Sequence, residues 1–160
     1  MNPIGLRLKQ LVLAFGAVFL GIVALTNLMA LLSAATTPWT FLNSGNTDYV
    51  ASVVAVYSWP GWFDELAVLG ALLVEATGAL LFVRALLRYR GGGTGVLEAY
   101  QALAWHIGVW SAFIVGTEFF LAYGAEGTFR ELLALALLMT VVVAVVPDDP
   151  AGLEASRLRP

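Results

Sequence analysis

Apolar residues run in long blocks along this chain, and short polar or glycine-rich stretches separate them. The blocks cover about 11–34, 63–87, 97–123 and 129–146. Each is close to the roughly 20 residues of helix that cross the hydrocarbon core of a bilayer. The breaks between them are made of strong punctuators. "RYRGGGTG" (88–95) interrupts the second and third blocks, "GAEG" (124–127) the third and fourth, and Pro147 with Asp148 and Asp149 ends the last. The first block is too long for a signal-peptide core and has no clear small-residue cleavage site, so it reads as a retained span. The pattern predicts an all-α polytopic membrane protein, with four transmembrane helices in an antiparallel bundle over residues 1–149. A flexible cytoplasmic tail, 150–160, follows it. No internal repeat is evident, and the segments between the spans are too short to form a second domain.

Composition agrees with this. Of 160 residues, 60% are hydrophobic and 12% charged, against about 25% charged in an ordinary soluble domain. The mean hydropathy is +0.86. There is no cysteine, which excludes disulfides, thiolate metal sites and cysteine nucleophiles. A net charge of −3 with no basic stripe gives no footprint for nucleic acid. The positive charges sort by side. Arg7, Lys9, Arg84, Arg88, Arg90, Arg157 and Arg159 all fall at one face of a four-span bundle, and Arg130 alone lies at the other. By the positive-inside rule, both termini and the glycine loop are expected in the cytoplasm, with the plasma membrane as the location.

The outer loop, 35–62, holds Trp39, Tyr49, Tyr57, Trp59 and Trp62 but no Lys or Arg. Tryptophan and tyrosine favour the headgroup layer, so Trp39, Trp59 and Trp62 are expected as interface aromatics. "DYVASVVAVYSW" (48–59) is apolar enough to lie in that layer or to re-enter shallowly. The loop reads as an aromatic belt or, more specifically, as a lid or docking surface.

Ionisable residues within spans face the bundle interior by default and are functional candidates. Glu75 lies about twelve residues into the second span, roughly 18 Å deep at the helical rise. Gly78 and Ala79 share its face and would let another helix approach. Glu75 reads either as a protonated carboxyl group that hydrogen-bonds a neighbouring helix and fixes packing or as a proton, ion or ligand site. On the first span, Ala17, Gly21, Ala24 and Asn27 recur at helical spacing, which makes Asn27 a possible partner for Glu75. On the third, Gln101, Ala104, Gly108, Ser111, Val115 and Glu118 form a small and polar stripe, expected to be the packing seam. Glu118 and Arg130 flank the short last turn, so an ion pair between them is expected, as a clamp or a gate. His106 is the only histidine and lies roughly opposite the stripe. It reads as structural or lipid-facing, or else as a relay or cofactor ligand. Neither a second histidine nor any metal-ligand motif accompanies it, so no metal and no cofactor is expected. No phosphate loop, serine elbow or other catalytic motif is present.

Several short motifs come in a recognisable order: "NTDY" (46–49), Glu75 to Gly78, "GTEFF" (116–120) and "FRE" (129–131). In this order they resemble the small four-span integral membrane proteins of bacteria that carry a domain of unknown function. "YSWPGW" (57–62) departs from that pattern, standing where members carry an Asp/Thr-rich stretch. The resemblance implies the four-span topology and singles out Glu75, Glu118 and Arg130. It implies no reaction. The expected function is therefore a structural or accessory subunit, packing with itself as a homo-oligomer or with a larger membrane-protein partner in the lipid bilayer. The alternatives are an oligomeric proton, ion or small-solute channel or transporter that titrates Glu75, and a lipid- or quinone-linked enzyme subunit anchored at His106 and Glu75.

Overall fold

The computed structural model describes residues 3–36, 40–91 and 93–148. It is all-helical, and the described residues include no strand, only an isolated bridge between Gly91 and Thr94. The order is α1 (Pro3–Ala35), α2 (Asn46–Val54), a 3₁₀ turn (Ala55–Tyr57), α3 (Trp62–Arg88), α4 (Val96–Phe119) and α5 (Tyr123–Val145). Trp39 and the tail at 150–160 lie outside the described residues.

Among the described residues, three helices are long and apolar enough to cross a membrane: Ile4–Ala35, Trp62–Arg88 and Tyr123–Val145. They match the first, second and fourth expected spans. α4 has the length, at 24 residues, but Glu98, Gln101, His106 and Glu118 dilute its apolar content, and it is not among the three. The third expected span is thus met as a helix and not by apolar character.

α1 packs chiefly on α3, α4 on both α3 and α5, and α2 against α3. Two close approaches fix the first pair. A Cβ on Gly16 would lie 2.7 Å from the ring of Phe82, and one on Gly78 would lie 2.6 Å from Leu20. The register 16 to 82 and 20 to 78 runs in opposite directions along the two chains, so the helices are antiparallel. Small residues let the two backbones come close enough for this. The buried face of α1 is Leu13, Gly16, Leu20, Ala24, Asn27 and Ala30, rotated slightly from the expected line. Gly21, expected on the seam, has open space around it.

The half of the bundle nearest the termini is solidly packed around Leu13, Leu20, Phe82, Ala85, Tyr89 and Leu103. A polar knot closes its end. Lys9 Nζ lies 3.0 Å from Asp148 Oδ1, the Tyr89 hydroxyl donates to the same carboxylate at 3.2 Å, and Gln10 donates to the Tyr89 carbonyl at 3.1 Å. At the adjoining hairpin Gly95 has φ 79°, and a Cβ there would sit 2.5 Å from the Arg88 carbonyl oxygen. Only glycine fits.

Gly16 and Gly21 separate packing from helix propensity. Gly21→Ala should be neutral or stabilise by up to about 1 kcal/mol through propensity. Gly16→Ala should destabilise by about 1–3 kcal/mol through overpacking against Phe82. Unfolding in mixed micelles measures both; equal effects at the two positions would refute the close contact.

Candidate functional site

A hydrogen-bonded relay crosses the middle of the bundle. Glu75 sits halfway along α3 and is 2% exposed; Asn27, on α1, is also 2% exposed. Asn27 Nδ2 donates to Glu75 Oε2 at 2.6 Å. Asn46 Nδ2 donates in turn to Asn27 Oδ1 at 2.5 Å. The relay has a direction: each carboxamide passes its N–H onward, and the carboxylate is the terminal acceptor.

Local sequence explains how Asn46 gets there. It is the first residue of α2, and Gly45 before it turns the chain with φ 68°. The Asn43 side chain accepts the Gly45 N–H at 2.9 Å, stabilising that turn. Ser44 Oγ lies 3.4 Å from the Thr26 carbonyl, beside Asn27. The segment expected to lie in the headgroup layer or to re-enter shallowly is a short helix pinned by its first residue into the bundle. Farther on, the Tyr57 hydroxyl donates to the Phe119 carbonyl at 2.6 Å. Trp59 packs edge-on against Phe63 at 4.1 Å and Phe120 at 5.4 Å. Trp59 is thus part of an aromatic clasp, while Trp62 is largely exposed, as an interface aromatic would be.

Beside the relay is a cavity of about 380 Å³, with Asn27, Asn46, Tyr49, Glu75 and Thr117 among its lining, and with aliphatic and aromatic walls, including Phe19, Trp110 and Phe129. Trp110 is 2% exposed. Its indole N–H has no hydrogen-bond partner among the described residues. Such a group is costly when buried away from any acceptor.

His106 stands apart from this cavity. It is fully buried, held by Phe82 edge-on at 5.5 Å, Trp110 at 5.8 Å and Phe19 at 6.4 Å. Among the described residues neither ring nitrogen finds a partner. It is interior, not lipid-facing, and no other candidate residue is brought to it.

Glu118 and Arg130 do not form the expected pair. Arg130 bonds Glu126, one turn before it on α5, and none of the ion pairs among the described residues includes Glu118. The reason is rotational. Thr117 is buried and Glu118, about 100° further round α4, is exposed. α5 packs on the buried side, through Phe129 against Trp110 and Phe113. The chain then reverses tightly, with Leu121 at φ 55°. Arg130 meets the carboxylate on its own helix instead.

The α4 stripe also departs from expectation. Gln101, Ala104, Gly108, Val115 and Glu118 are exposed and Ser111 is half-buried, while Ala102, Leu103, His106, Val109 and Trp110 are buried. The seam within the protomer is the aromatic and aliphatic side. The small and polar side looks outward, beside an open groove of about 780 Å³ that reaches Val74 and Leu81 of α3. Trp105 bridges it, its N–H donating to the Val74 carbonyl at 2.9 Å.

Fold and site together define an all-helical protein with three membrane-spanning candidates and a carboxylate buried at mid-helix. Comparison with known protein families, curated proteins and solved structures finds no match.

A double-mutant cycle on Asn27→Ala and Glu75→Ala should give a coupling of about 0.5–2 kcal/mol, the range for hydrogen bonds between membrane helices. Denaturation in mixed micelles reads it. Glu75→Gln keeps an acceptor oxygen for Asn27 and should cost less than Asn27→Ala. Zero coupling would show that the two side chains do not meet.

Proposed function

We propose that the chain is a four-span integral membrane protein of the plasma membrane, with both termini cytoplasmic, that works as a non-catalytic accessory subunit. The sorting of Lys and Arg to one face and three helices long and apolar enough to cross a membrane support the topology. The subunit role is carried by one observation, the outward-facing stripe of α4. Gln101 and Glu118 are expensive against lipid, and Ala104, Gly108 and Ser111 leave a shallow track that another helix can approach closely. Covering that face with a helix of a second copy or of a larger membrane protein removes the cost. It also accounts for the Gln101 and Glu118 side chains on the outward face of α4.

The channel reading finds less support. Between Glu75 and the terminal end, Leu20, Phe82 and Leu103 close the interior of the protomer. Glu75 also points into its own bundle, so a ring of protomers would not bring these carboxylates to a shared pore.

The absence of native cysteine makes the test clean. Ser111→Cys should give a disulfide-linked or reagent-bridged species in native membranes, whereas Leu73→Cys, exposed on α3, should not. A doubled mass identifies a second copy, and a heavier adduct a larger partner. A protein that native mass spectrometry finds monomeric and partnerless, with no Ser111→Cys cross-link, would sink the reading. Cysteines placed at Gly93 and Gly124 should be labelled from opposite sides of sealed membranes; labelling from one side would overturn the four-span topology.

A further inference from the structure

The Glu75 carboxylate is the end of a relay that supplies donors and no positive charge. None of the ion pairs among the described residues includes it. The cavity beside it is open enough to admit a molecule and is walled mostly by apolar side chains. A buried acceptor of this kind is complemented by a donor that carries charge.

Two further observations narrow the class. The walls include the rings of Phe19, Tyr49, Phe63, Trp110 and Phe129, and aromatic faces attract organic cations, more so where water is excluded. The end of the bundle that carries α2, onto which the cavity looks, holds Asp48, Asp64, Glu65, Glu118, Glu126 and Glu131. Against these stands Arg130, already engaged by Glu126. Acidic surroundings of that kind concentrate cations and repel anions. A metal ion fits poorly: no group of three His, Asp or Glu side chains is assembled among the described residues, and the walls are hydrocarbon.

We propose that this cavity binds a lipophilic organic ammonium ion, with its nitrogen at Glu75 and its apolar body against the aromatic walls. The site lies inside one protomer and is independent of what covers the α4 face.

Propranolol, an aryl amino alcohol, is a suitable probe, with 1-naphthol as a neutral aryl control. Calorimetric titration of the full chain in micelles, with protein-free micelles subtracted, should give saturable one-site binding of propranolol and none of 1-naphthol. Glu75→Gln should weaken it at least tenfold, and Glu98→Gln, at the opposite end of the bundle beside Arg88, should leave it unchanged. Gly116→Leu fills the cavity from α4, where a Cβ meets nothing within 4 Å, and leaves the helix that carries Glu75 unaltered. It should abolish binding and covers the case in which Glu75→Gln fails to fold. Binding unaltered by both cavity variants, no saturable binding of the probe, or tighter binding of 1-naphthol would each overturn the proposal.

Discussion

A carboxylate held at mid-helix in an apolar bundle must find its hydrogen bonds inside the protein, because the surrounding hydrocarbon offers none. Much of the α2 end of this molecule follows from that constraint. Asn27 on α1 supplies a donor, and Asn46 fixes the orientation of Asn27 by occupying its carbonyl oxygen. Asn46 can reach the bundle only because Gly45 turns the chain steeply into α2. The loop between α1 and α3 is thereby tied to the interior. Three residues far apart in sequence form one polar unit, and loosening the loop would strip the second donor in the chain. The closeness of α1 and α3 has the same dependence, since Gly16 and Gly78 bring the two backbones together at the depths that let Asn27 and Glu75 meet.

α4 solves a different problem. One side enters the core with Leu103, His106 and Trp110, and the rings of Phe19, Phe82 and Phe129 close around it. The other side is small and polar and has none of the described helices packed upon it. A helix with two such faces is suited to the centre of an assembly, where neither side meets lipid. His106 then needs no chemistry to account for it. Its ring packs as an aromatic among aromatics, which balances, in part, the loss of hydrogen bonds at both nitrogens.

The helices were legible in the sequence because long apolar blocks and glycine punctuation act locally. Their ends match within a few residues, apart from α1, which begins well before the block of apolar residues and buries Lys9 against Asp148, and α5, which begins at Tyr123 and takes in the "GAEG" expected as the turn. The inward direction of Glu75 was legible too, through Gly78 beside it. What failed depended on rotation about a helix axis. The stripe on α4 and the pairing of Glu118 with Arg130 were inferred from similar residues and similar depth, and neither fixes which side of a helix its neighbours occupy. Hydrophobic periodicity gives little help here, since every side of a membrane helix is apolar. Asn46 was missed as a site residue because its role depends on α2 folding back over the bundle. The available signal was "NTDY" itself: two hydrogen-bonding side chains and an acid at the start of an otherwise apolar segment.

The relay and the cavity carry the structural and the binding readings of Glu75 together. If the carboxylate served packing alone, a cavity at its side would be a defect, since voids in a core forfeit contacts. If it served binding alone, two asparagines from separate elements would be more than the chemistry needs. Both together have a plain rationale. The asparagines hold the carboxylate in one geometry in the absence of any ligand, so no reordering is needed when one arrives, and preorganisation of this kind lowers the cost of binding. The cavity then leaves room for the charge that the relay does not supply.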